Sequence, residues 1–179
     1  MSDTQANPLS RAPQQEEMPT QETRGKQPQW DFAGKPVRVL FLCTHNQARS
    51  QMAEALTHDL SRGQVVALSA GNHPAAQVHP LAVRAIARLG ADMSLHVPKS
   101  LDQFRGRTFD RIIILCDQGH EDCPTIDTPG VIYWNFPDPA LVEGTEEERQ
   151  RAFNLLAMEL NTRIRLLLTL LEKEKRAST

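Results

Sequence analysis

Hydrophobic and polar positions change character at Pro36. Beyond it, short apolar runs alternate with amphipathic stretches. "VRVLFLC" (37–43) is apolar, rich in β-branched residues and short enough for a buried strand. Segment 50–60 then places Met52, Ala53, Leu56 and Leu60 at helical spacing. "QVVALSAG" (64–71) predicts a second strand closed by glycine. "PLAVRAIARL" (80–89) predicts a helix with proline at its start and Gly90 at its end. "FDRIIILC" (109–116) is the most apolar strand candidate, and "GVIYWNF" (130–136) is the fourth. A last helix follows Thr145, with Glu148 placed to close a capping box. Its stripe runs through Phe153, Leu156, Ala157, Leu160, Ile164, Leu167, Leu168 and Leu171.

Strands separated by helices predict an α/β domain over residues 36–174, a four-stranded parallel sheet flanked by helices on both faces. Such sheets bind ligands beyond the carboxyl ends of their strands. Cys43 and Cys116 both fall at such ends. Residues 1–35 are rich in Gln, Pro, Glu and Thr and poor in aliphatics, which predicts a disordered tail. Trp30 and Phe32 are the exceptions, suited to packing on the domain edge.

The chain has 179 residues and a formal net charge of −2, which gives no argument for a nucleic-acid partner. No apolar run reaches the ~18 residues of a membrane span. The N-terminal segment has no apolar signal-peptide core, so a cytoplasmic protein is expected. Three cysteines without disulfide-scaffold spacing suit chemistry or metal binding better than stapling.

The loop Cys43, Thr44, His45, Asn46, Gln47, Ala48, Arg49 runs from a strand end to a helix start. Inward backbone N–H groups and the helix dipole favour an anion there. Arg49 is suited to grip a tetrahedral oxyanion with two N–H donors. Ser50 can donate its hydroxyl to the Cys43 sulfur, and together these groups favour a thiolate nucleophile. Asn46 is placed to hold the loop in shape, and His45 to sit at the surface. Asp138, between prolines in "NFPDPA", is the best acid for a leaving oxygen. The loop alone also fits a buried structural cysteine beside a surface arginine, and the Asp-Pro pair alone fits a plain turn.

"VLFLCTHNQARSQMAEAL", "LSAG" and "FPDPALVEGTEEER" resemble the low-molecular-weight protein tyrosine phosphatase superfamily, and within it the arsenate reductases. The resemblance spans Val37 to Leu170. It implies Cys43 as nucleophile, Arg49 as oxyanion ligand and Asp138 as general acid. Phosphatase members typically carry a tyrosine after the Asp-Pro pair, where this chain has Ala140.

Cys116 and Cys123 have the spacing of the cysteine pair in thioredoxin-coupled members. The resemblance therefore implies a relay. Cys43 attacks arsenate, Cys116 displaces arsenite, Cys123 takes over the disulfide, and thioredoxin reduces it. Were 116–123 helical, the two Cα atoms would stand ~10.5 Å apart along the axis, too far for a disulfide, so the segment would have to unwind. Cys116, His120 and Cys123 also read as three zinc ligands, but without a fourth. The other histidines, His58, His73, His79 and His96, read as surface or capping residues.

Two departures matter. Some reductases carry a second loop cysteine where Ala48 stands. Some bind potassium; Asn46, Glu54 and Ser69 match three of its ligands, but the fourth place is Lys99, which predicts a Glu54–Lys99 ion pair and no cofactor. Arsenate reduction coupled to thioredoxin is the expected function. Hydrolysis of phosphotyrosine or small phosphate esters is the alternative, and a non-enzymatic arsenic- or metal-binding regulator a third class.

Overall fold

A computed structural model describes residues 30, 32, 36–117, 119 and 122–178. Four strands form one sheet: β1 (Val37–Leu42), β2 (Val65–Ala70), β3 (Arg111–Ile114) and β4 (Val131–Tyr133). All neighbours are parallel, in the order β2-β1-β3-β4. The apolar run of β1 thus occupies an interior position, where both faces are covered.

Three α-helices accompany the sheet: α1 (Arg49–Leu60), α2 (Pro80–Arg88) and α3 (Glu146–Ala177). α1 packs on β1 and β2 and against α3, and α2 packs against both helices. Every residue of the expected α3 stripe is buried. Its start is a capping box: the Glu148 N–H donates to Thr145 Oγ1 at 3.2 Å, and the Thr145 N–H donates to the Glu148 carboxylate at 2.8 Å. His79 caps α2, its Nδ1 accepting from the Leu81 N–H at 3.2 Å. Leu40 and Ile112, paired across β1 and β3, line a cavity closed by the 3₁₀ turn Leu101–Phe104, Phe109 and Ile126.

Trp30 and Phe32 belong to the core, at 4% and 7% exposure, and Trp30 Nε1–H donates to Thr169 Oγ1 on α3 at 3.3 Å. Core packing therefore reaches back into the stretch expected to be tail. The expected disorder of 1–29 lies outside the described residues. No helix among the described residues is long and apolar enough to cross a membrane.

Candidate active site

The register of the sheet assembles the site. Leu42 pairs with Ile114, and the ladder continues past both strand ends: the Cys43 N–H donates to Ala70 O at 3.2 Å, and the Leu115 N–H to Leu42 O at 2.8 Å. The Phe136 N–H then donates to Leu115 O at 2.9 Å. Cys43, Cys116 and the loop leading to Asp138 are thereby brought to one edge. Gly71, at the end of β2, lies so close to the Cys43 loop that a Cβ there would meet Thr44 O at 2.5 Å and Cys43 O at 2.9 Å. Only glycine permits that approach.

The loop 43–48 is buried apart from His45 and the half-buried Gln47. Among the described residues, no backbone N–H from His45 to Ala48 donates to a protein carbonyl. α1 likewise starts without a side-chain cap at Ala48. Unused donors at a helix start attract an anion.

Asn46 holds this loop with its side chain and has a left-handed backbone, φ +46°. Its Nδ2 donates to Ser50 Oγ at 2.8 Å and Ser69 Oγ at 2.9 Å; its Oδ1 accepts from the Lys99 N–H at 2.7 Å and Gln51 Nε2 at 2.9 Å. Ser50 Oγ lies 2.9 Å from Cys43 Sγ. That oxygen accepts from Asn46 and keeps its own hydrogen available to donate to the sulfur.

Beneath Asn46, the Ser69 hydroxyl donates to Glu54, whose carboxylate also accepts from Lys99 Nζ at 3.1 Å. The expected Glu54–Lys99 pair is present, its side chains only 15% and 19% exposed. The pair fixes Ser69, Ser69 helps fix Asn46, and Asn46 fixes the cradle. Gln51 and His96 add a further support, His96 Nδ1–H donating to Gln51 Oε1 at 2.8 Å; burial pushes the His96 pKa down, favouring the neutral ring.

Arg49 is 2% exposed. Its fork reaches across to the opposite loop, donating to Phe136 O at 2.9 Å and Asp138 Oδ2 at 3.1 Å. The sequence predicted a fork aimed at an oxyanion; the structure adds that the candidate acid is its partner. Asp138 Oδ1 accepts from the Ala140 N–H at 3.0 Å, capping the 3₁₀ turn Pro139–Leu141. The Asp-Pro pair is therefore both a turn and a site element. That loop is braced from α3, where Arg163 donates to Trp134 O at 2.9 Å and lies 4.5 Å from the Phe136 ring centroid.

All three cysteines are free thiols, Cys43 and Cys116 buried and Cys123 half-buried. Burial pushes the Cys116 thiol far above its usual range; a hydrogen bond with Cys123 and the nearby Cys43 act the same way, and a hydrogen bond with Thr44 opposes them. Cys43 and Cys116 follow neighbouring strand ends, and Cys123 belongs to the surroundings of Cys116. Segment 116–123 is irregular where described, not helical. Where described, the segment is already non-helical, so the unwinding required of a helix is not needed there. His120, the middle member of the zinc reading, lies outside the described residues; among those described, no cluster suited to a metal ion occurs.

Sequence reasoning missed the contacts of Asp122. Thr44 Oγ1 donates to its carbonyl at 3.2 Å, Asn72 Nδ2 to the same carbonyl at 3.1 Å, and His73 Nε2–H to its carboxylate at 2.8 Å. No local pattern marks these residues.

Residues 38–177 match the family model described as low molecular weight phosphotyrosine protein phosphatase. An arsenate reductase of Halalkalibacterium halodurans is 35% identical over 128 residues, covering 71% of this chain and 91% of that protein. The arsenate reductase of Bacillus subtilis is 33% identical over 130 residues, with the same coverage. Among solved structures, arsenate reductase from Archaeoglobus fulgidus superposes with a TM-score of 0.60 at 31% identity, covering 73% of this chain and 98% of that one. A thioredoxin-dependent arsenate reductase of Corynebacterium glutamicum gives a TM-score of 0.60 at 28% identity, covering 82% of this chain and 65% of that one. The match runs from β1 through α3, and the chain belongs to the low molecular weight phosphotyrosine protein phosphatase family.

Proposed function

We propose that the chain reduces arsenate to arsenite through Cys43, Cys116 and Cys123, and that thioredoxin restores the thiols. The observation that carries this reading is the placement of Cys43 and Cys116, both reduced thiols, just past neighbouring strand ends beside the 43–49 loop, with Cys123 seven residues further on. The resemblance of the whole domain to arsenate reductases supports it, and the thioredoxin-dependent relative supports the reductant.

The chemistry balances. The Cys43 thiolate attacks As(V); an As–O bond breaks and the oxygen leaves as water, protonated by Asp138. Thr44, His45, Asn46, Gln47 and Ala48 supply the loop that faces the anion, and Arg49 neutralises it. Oxyanion and Asp138 compete for Arg49, so substrate entry releases the acid from its ion pair. Cys116 then attacks Cys43 Sγ. The S–As bond breaks with its electron pair left on arsenic, which departs as As(III), and the Cys116 proton passes to an arsenic-bound oxygen. Cys123 attacks Cys116, and Cys43 leaves as thiolate. A dithiol reductant returns the two electrons that arsenate consumed. Burial of Cys116 as a neutral thiol restrains disulfide formation until arsenic has reacted. Reduced thiols suit the cytoplasm, where we place the enzyme.

Phosphate-ester hydrolysis needs only Cys43, Arg49 and Asp138. It leaves Cys116 and Cys123 without a role, and Ala140 offers no aromatic surface to a phosphotyrosine ring. The discriminating experiment is arsenate turnover with thioredoxin, thioredoxin reductase and NADPH, run beside para-nitrophenyl phosphate hydrolysis. Arsenate-dependent NADPH oxidation that exceeds ester hydrolysis supports the reductase. Ester hydrolysis without NADPH oxidation overturns it.

A further inference from the structure

The loop after β2 touches both ends of the thiol series. On one side it grips the nucleophile loop: the His73 N–H donates to Thr44 O at 2.9 Å, and His45 Nδ1–H donates to His73 O at 3.1 Å. On the other it grips Asp122, the residue before Cys123. Asn72 Nδ2 donates to Asp122 O at 3.1 Å and approaches its carboxylate at 3.4 Å; His73 Nε2 lies 2.8 Å from that carboxylate. Thr44 adds a hydroxyl to the same carbonyl at 3.2 Å.

Both Asp122 atoms are acceptors, so Asn72 must present its NH₂ to them. The consequence is visible: among the described residues, Asn72 Oδ1 is buried and has no hydrogen-bond partner. An amide that forgoes one bond to make contacts with Asp122 is placed by those contacts. Neither the Asn72 nor the His73 side chain belongs to the loop that holds the oxyanion or to the group that attacks arsenic. Their shared effect is to fix where Cys123 begins relative to Cys116.

Resting on the relay reading, we propose that Asn72 and His73 are positioning residues, a latch on Asp122 that governs the second thiol exchange and not the first. In that exchange Cys123 loses its proton and its sulfur attacks Cys116 Sγ. The Cys43–Cys116 bond breaks, and Cys43 leaves with the electron pair as a thiolate held by the Ser50 hydroxyl. No electron is gained or lost overall. Its rate depends on how often Cys123 is held in line with the Cys116–Cys43 bond. The His73–Asp122 pair is exposed, at 60% and 75%, so its charge contributes little alone; the latch acts through its combined hydrogen bonds.

The test is a single turnover without thioredoxin, quenched at intervals with an alkylating agent and read by peptide mass spectrometry for each disulfide. The Asn72→Ala/His73→Ala double variant should release arsenite at the wild-type rate, one per enzyme. Its Cys43–Cys116 disulfide should persist about tenfold longer, the scale of one or two lost hydrogen bonds. His73→Gln, with an amide N–H near the Nε2 position, should recover most of the delay on an otherwise wild-type chain. Wild-type exchange in the double variant, or arsenite release slowed in parallel, overturns the latch. If wild-type enzyme never forms Cys43–Cys116, the relay itself is wrong, a result distinct from either.

Discussion

At the residue scale the cradle makes firm demands on Cys43 and Arg49. A serine at position 43 has no accessible anion, so Cys43→Ser should abolish arsenate reduction and any ester hydrolysis. Arg49→Lys replaces a planar fork by a point ammonium that cannot hold Phe136 O, Asp138 and an oxyanion together. Loss of one charged, paired contact is worth ~1.5–3 kcal/mol, so kcat/KM for arsenate should fall about 10- to 100-fold. Steady-state kinetics on both variants checks this. Lys99 makes a different demand. Its ammonium already neutralises Glu54 beneath Asn46, so a monovalent cation has no task there. Titrating potassium against sodium at constant ionic strength should leave turnover flat, and potassium-specific activation would contradict the assignment.

Cys43, Arg49 and Ser50 were legible as candidates because they sit at a strand end and a helix start that periodicity reveals, and Asp138 because of the Asp-Pro pair. Asn72, His73, Asp122 and Arg163 were not. Their roles come from side chains meeting across large sequence separations, and each alone reads as an ordinary surface residue. The polar positions buried on α1, Arg49, Ser50, Gln51 and Thr57, depart from an amphipathic pattern; most belong to the first turn, where the site replaces the core.

At the scale of elements, four strands and three long helices followed from apolar pattern, capping and glycine placement. The strand order β2-β1-β3-β4 did not, since no local feature records which edges pair. The 3₁₀ turns Leu101–Phe104 and Pro139–Leu141 are too short for a period to show. One of them carries Asp138, so α3 has a functional task beyond its apolar stripe. Arg163 ties α3 to Trp134 O and Phe136, and Phe136 O holds Arg49. Arg163→Ala should lower stability by about 1 kcal/mol, a melting shift of about 4 °C. It should also lower kcat for arsenate more than it raises KM, because the acid loop loses its brace while the 43–48 loop keeps the hydrogen bonds of Asn46. Calorimetry and kinetics on the same sample check both.

At the scale of the whole molecule, the two aromatic exceptions in the N-terminal stretch pack on the domain. The low apolar content of 1–35 predicted a dispensable tail, and a two-aromatic anchor within it was the part that packs. Trp30 and Phe32 are core residues, Trp30 bonded to Thr169. Removing 1–29 should leave stability within about 1 kcal/mol, because those residues hold little apolar area. Extending the deletion through Phe32 should cost about 3 kcal/mol or more, since each buried aromatic is worth that much in a core. Thermal melts of the two truncations separate the outcomes.

If Cys43, Cys116 and Cys123 act in sequence to reduce one arsenate, Cys123→Ser must stall after the first disulfide. The variant keeps the cradle, Cys43 and Cys116, but cannot accept the disulfide. Treated with arsenate in the absence of reductant, it should release one arsenite per enzyme and stop, with Cys43 joined to Cys116 in the peptide mass spectrum. Under the same conditions the wild type should accumulate Cys116–Cys123. Arsenate turnover at the wild-type rate in Cys123→Ser, or arsenite release with no Cys43–Cys116 disulfide, would contradict the relay.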